Sequence, residues 1–279
     1  MIRRHLIQTE IGLVVLLLAA LPVSHADEAQ STQERPSKFM ALVDGRDDIN
    51  APRFELPDHT TFSFHGWTIH LHDRLWQDDE GQAATRNMLG LLSDQLTRVV
   101  KAVPAPAVER LRQVPVWINA EYENERPRCE YHPGAGWLRD HGRNPAMAKA
   151  VEISNVRIFE FENRRMPYLM LHELAHAYHD QVLRFDEPRI IAAFEVARES
   201  GGYESVRRFT GTKTVNDKAY AISDHKEYFA ESTEAYFGKN DFFPFDRSEL
   251  RIHDPQIHAL LNKLWGVSVL GDSVDEAQQ

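Results

Sequence analysis

Cysteine is all but missing from this chain: Cys129 is the only one among 279 residues. An intrachain disulfide is therefore excluded, whatever compartment the protein occupies. Cys129 sits between Pro127-Arg128 and Glu130-Tyr131, which read as loop, and no Cys/His arrangement for a thiol nucleophile surrounds it. Blocks of basic residues are missing too. With 32 Lys and Arg against 42 Asp and Glu, the net charge is −10, and nothing points to nucleic acid or to an anionic membrane surface. No internal repeat is visible, and only one apolar run stands out, at residues 11–21, too short for a comfortable membrane span.

That run follows Arg3 and Arg4 and leads into Pro22-Val23-Ser24-His25-Ala26. Basic residues, a short apolar core and small residues at 24 and 26 spell a secretory signal peptide covering residues 1–26. Export to the periplasm or the extracellular space is the expectation, without stable membrane insertion after cleavage. No cysteine follows the run, so a lipid anchor is not expected. Residues 27–59 are polar and broken by Pro36, Pro52 and Pro57, an extended or flexible lead-in. Residues 60–268 are expected to form a single domain and 269–279 a polar tail. Charged residues at 27% and hydrophobic ones at 42% are ordinary for a soluble globular protein.

Within the domain, residues 61–71 are rich in β-formers around Gly66 and predict one strand or a bulged pair. On it His70 and His72 share a face, an arrangement commoner on a polar strand face than in a metal site. Helical spacing of Met88, Leu89, Leu92, Leu96 and Val99 predicts a helix over 81–103, stopped by Pro104. A short helical piece at 108–111 and a strand at 114–118 follow. Residues 121–145 are loop-rich, and 149–153 alternate as a strand that by position suits the edge of a substrate cleft. Further helices are expected at 190–199 and 256–265, with loop at 211–217.

The chemistry is concentrated in Leu171-His172-Glu173-Leu174-Ala175-His176-Ala177-Tyr178-His179. Pro167 suits a first helical turn, so a helix over 167–183 is predicted. There His172 and His176 stand one turn apart, about 6 Å along the axis, and can converge on one zinc ion. Glu173 flanks them, placed to take a proton from water. A catalytic zinc needs a third ligand and an open position. His179 lies about 10 Å along the axis from His172, too far to share an ion with both histidines. A metzincin pattern would need glycine at 179 and histidine at 182, where the chain has His179 and Val182.

The second block runs Tyr220-Ala221-Ile222-Ser223-Asp224-His225-Lys226-Glu227-Tyr228-Phe229-Ala230-Glu231-Ser232-Thr233-Glu234. Ser223 or Asp224 can cap a helix that reaches Phe237 and stops at Gly238. Glu227, Glu231 and Glu234 share one stripe of it. The dense aromatics require burial, and buried carboxylates need a metal or a donor. One can serve as ligand and another as acceptor for a ligating histidine, and spacing leaves open which is which.

The two blocks together resemble the gluzincin metallopeptidases, and within them most nearly the group of the anthrax lethal factor catalytic domain. That group joins its motif helix to a Glu-Phe-Phe-Ala-Glu segment with a tyrosine seven residues earlier; here Glu227-Tyr228-Phe229-Ala230-Glu231 follows Tyr220. The resemblance covers roughly residues 166–238. It implies a single Zn²⁺ held by His172, His176 and Glu227, with Glu173 as general base, Tyr220 as hydroxyl donor to the oxyanion and Glu231 in support behind the ligands. It implies an α+β, mostly helical, zincin-like domain whose small sheet has its edge strand just before the motif helix. It also implies a peptide or protein substrate, though not the toxin's own. The surrounding wording, such as Val151-Glu152-Ile153-Ser154-Asn155 and Asn240-Asp241-Phe242-Phe243-Pro244-Phe245, is similar to exported bacterial proteins with no function attached. A zinc hydrolase of a non-peptide bond and a non-catalytic zinc-fold binding protein are the competing classes.

Overall fold

The β-formers near the start fold into a hairpin. In the computed structural model, which describes Leu56 and residues 58–267, β1 (His59–Phe64) and β2 (Trp67–His72) pair antiparallel. His65 and Gly66 join them with φ of 52° and 85°, the sign that a tight two-residue hairpin turn demands. The expected signal peptide, the lead-in up to residue 55 and the tail lie outside the described residues. Among those described, no helix is long and apolar enough to cross a membrane.

Three further strands complete a five-stranded mixed sheet: β3 (Val116–Ile118), β4 (Cys129–Tyr131) and β5 (Val151–Ile153), in the order β1-β2-β3-β5-β4. β2, β3 and β5 run parallel, and β4 returns antiparallel along β5. The architecture is thus α+β and mostly helical, with a small sheet. One expectation is corrected. The strand predicted over 149–153 is internal, flanked by β3 and β4, and the edge belongs to β4. Three residues between proline-bearing segments are too short to show a period in sequence, and short edge strands are how sheets commonly protect an open edge.

Helices cover one face. Asp78 caps α1 (Asp79–Ala102) through the N–H of Gly81, and Pro104 follows its end; α2 (Ala105–Leu111) comes next. Trp67, Ile69, Val116, Ile118, Val151 and Ile153 are buried by alternation, and Trp67 Nε1 donates to Leu111 O. The motif helix α5 (Leu169–Tyr178) packs on β4 and β5, after α3 (Ala135–Asp140) and α4 (Phe159–Arg165). It is shorter than predicted, since residues His179–Leu183 continue it as a single π-helical turn. The opposite face of the sheet is covered by the 121–147 segment, where Leu138 and Met147 pack on Trp117.

The second half begins with α6 (Pro188–Ser200). Residues 206–217 then form a hairpin, β6 (Val206–Phe209) and β7 (Thr214–Asp217), where loop was expected for 211–217. Its strands are polar and largely exposed, so no buried face marks them in sequence. Next come α7 (His225–Phe237), α8 (Arg247–His253) and α9 (Pro255–Leu264). Asp224 is the cap of α7, accepting from the N–H groups of Lys226 and Glu227 at 2.7 and 3.0 Å. Gly238 follows its last residue, and the position must be glycine because the Tyr168 ring lies where a β-carbon would be. α7 packs along α5, with Tyr178, Phe229 and Trp265 stacked beside them.

Candidate metal centre

The packing of α7 against α5 brings the two sequence blocks face to face. His172 Nε2 lies 3.1 Å from Glu227 Oε2 and 3.1 Å from His176 Nε2, and His176 Nε2 lies 3.3 Å from Glu227 Oε2. Three donors each about 2.0–2.1 Å from one tetrahedral zinc stand about 3.3 Å apart. The trio has this spacing, and its donor set of two imidazoles and a carboxylate suits zinc. Burial alone would raise the Glu227 carboxyl, but its bonds to His172 and His176 outweigh that and hold it below the usual carboxylate range.

His172 is oriented from behind. Its Nδ1–H donates to Glu234 Oε1 at 2.8 Å, which leaves the Nε2 lone pair for the front of the site. Glu231, the expected support, stands 3.9 Å from Nδ1 and instead accepts from Asn240 Nδ2 at 2.8 Å. The carboxylate bonded to His172 Nδ1 is thus Glu234. Seven residues from Glu227, it returns to the same face after two turns, a relation present in the stripe but undecided by it. Burial and neighbouring carboxylates raise both groups, Glu234 to about 7 and Glu231 well above the usual range.

Glu173 is buried, and its Oε2 accepts the backbone N–H of Tyr131 at 2.8 Å. Burial raises its carboxyl above the ordinary value, while the charges of His172 and His176 oppose the rise. Arg128 and His132 turn their backbone groups to β5, so Cys129 and Tyr131 turn theirs to the open side, where Tyr131 meets Glu173. Nothing in the sequence announced this role for a backbone group. Tyr220, in a 3₁₀ turn before α7, is half exposed with its hydroxyl 3.3 Å from Glu227 Oε1. Burial and the Glu227 charge push it up to about 12, so it remains a donor at neutral pH.

These residues line a cleft of about 1010 Å³ between β4 on one side and the β6–β7 hairpin with Tyr220 on the other. His179 is not part of it. It is fully buried against Phe185, Phe229 and His225, with neither ring nitrogen bonded. His70 and His72 belong to a ring cluster with His59 and Trp117, and His70 Nδ1 bonds the Thr61 hydroxyl. A second group, Glu130, His132 and Glu152, has ligand-like spacing. There the Arg143 guanidinium already supplies the positive charge, 2.8 Å from Glu152 Oε2. Tyr122, Asn119 and His132 complete the Glu152 bonds.

Comparison with protein-family models, with curated proteins and with solved structures finds no match to this chain.

Proposed function

We propose that the protein is an exported zinc metallopeptidase of gluzincin type, hydrolysing peptide bonds in a peptide or protein substrate. The observation that carries this reading is the convergence of His172, His176 and Glu227, with mutual distances of 3.1, 3.1 and 3.3 Å at the floor of an open cleft. A zinc ion held there supplies Lewis acidity to the carbonyl and to water. Glu173, its carboxyl raised by burial and its orientation set by the Tyr131 N–H, takes the proton of the attacking water. The same carboxyl then hands that proton to the leaving amine. Tyr220 donates its hydroxyl to the oxyanion that forms on the substrate carbonyl. Glu234 holds the His172 ring in one tautomer throughout.

A base beside the trio and a hydroxyl facing it favour catalysis over a merely structural site, which usually closes with a fourth protein ligand. The test is elemental analysis of the purified full chain followed by digestion of a broad peptide library. One zinc per chain with library cleavage that stops on chelation is expected. Zinc without any peptide cleavage would overturn the peptidase reading, and absence of zinc would overturn the metal centre.

A further inference from the structure

Besides the metal trio the cleft is lined by a buried amide whose oxygen has no hydrogen-bond partner among the described residues. Asn155 follows β5, is 2% exposed and lines the cleft, and its Oδ1 has no hydrogen-bond partner. Buried side-chain amides are normally bonded, since losing water without a replacement is unfavourable. Its neighbour is fully engaged: Ser154 Oγ accepts the Arg128 N–H and donates to the Arg128 carbonyl, both at 3.1 Å. This fastens the start of β4 and leaves Asn155 as the unspent group beside it.

The same cleft exposes an aromatic ring. Phe161 of α4 is 43% exposed and shares the wall with Pro127, Met166 and Leu169. It is braced by the hairpin, where a β-carbon on Gly211 would come within 3.1 Å of the ring. Arg126 and Arg165 both line the cleft. Arg165 is neutralised by Glu162 and Asp241 at 2.6 and 2.7 Å, so its charge is not free to select an ionic side chain. From Tyr131, which marks the base, back to Arg128 is about 10 Å of strand, the length of two or three extended residues.

Resting on the peptidase reading, we infer that Asn155 and Phe161 form a substrate subsite. The Asn155 carboxamide bonds a backbone peptide unit of the bound chain. Phe161 packs on a large apolar side chain two or three residues from the scissile bond. A carboxamide offers one acceptor and two donors, and a peptide unit offers the complementary pair.

The probe is a fluorescence-quenched decapeptide library, randomised on both sides of the scissile bond and presented to the zinc-loaded full chain. Phe, Leu and Met are expected to dominate one position two or three residues from the cut. For the best library peptide, Asn155→Ala should raise KM roughly tenfold with kcat changed less than about threefold, as expected for a lost ground-state hydrogen bond. Zinc content should be unchanged. Asn155→Asp, which keeps the shape, should also raise KM, and Phe161→Ala, at an exposed position, should flatten the apolar preference. Cleavage without such a preference, or with KM unchanged in both Asn155 variants, would overturn the subsite while leaving the peptidase reading intact. A wild-type chain that holds zinc and cleaves no library member would instead remove the peptidase reading and the subsite together.

Discussion

Glu173 has two neighbours that pull it in opposite directions: the low-dielectric interior raises its carboxyl, and the histidines before it lower it again. A base poised in this way loses its function when the carboxylate becomes an amide, although shape and packing persist. Glu173→Gln should therefore keep one zinc per chain and lose at least about a thousandfold in peptide turnover, given how essential proton transfer is to water attack. Full turnover in that variant would discard the base assignment. The ligands should separate by metal content. Glu227→Ala should abolish stoichiometric zinc, whereas Glu234→Ala, which removes only the partner of His172 Nδ1, should weaken zinc by roughly 10- to 100-fold. A zinc titration in which Glu231→Ala weakened binding more than Glu234→Ala would reverse the assignment of support. Tyr220→Phe should lower kcat by about a hundredfold with zinc unaltered, and an unchanged kcat would take the hydroxyl out of the reaction.

At the scale of elements, the site depends on where α7 begins and ends. Asp224 accepts two backbone N–H groups at its start, one of them from Glu227 itself. Asp224→Ala should cost about 1 kcal/mol in a urea melt, with weaker zinc as Glu227 gains freedom; an unaltered melt would show that the cap contributes nothing. Much of this level was legible in sequence. Pro104 stopping α1 and Asp224 opening α7 are local signals with local causes, whereas Gly238 also answers to the distant Tyr168 ring. The cleft walls were not. β4 has three residues and no period, and the short β6–β7 strands bury little beyond Val206, so neither leaves a clear hydrophobic signature. The pairing of His172 with His176 was legible because helical spacing fixes one against the other, whereas Glu227 was singled out only by the resemblance. The choice of Glu234 over Glu231 was not legible, because it depends on how α7 is rotated against α5.

At the scale of the whole molecule, two buried histidines outside the metal trio contribute to acid sensitivity. Burial lowers His179 to about 3 and His70 to about 4, both from 6.5. The unfolded chain takes up these protons first. The contribution of these two groups is therefore full above about pH 6.5 and is lost as pH drops towards 4, with each group contributing up to about 1.4 kcal/mol per pH unit. His179→Leu removes one contribution, so its advantage over the wild type in urea melts should grow steadily from pH 7 to pH 4.5. A constant difference across that range would show that His179 does not titrate with unfolding.

The bond from the Tyr131 N–H to Glu173 has a consequence of another kind. Because the donor is main chain, almost any replacement at position 131 preserves it; proline alone deletes it. The Glu173 carboxylate is thereby shielded from most point mutation at this contact, and its position is tied to that of the strand wall.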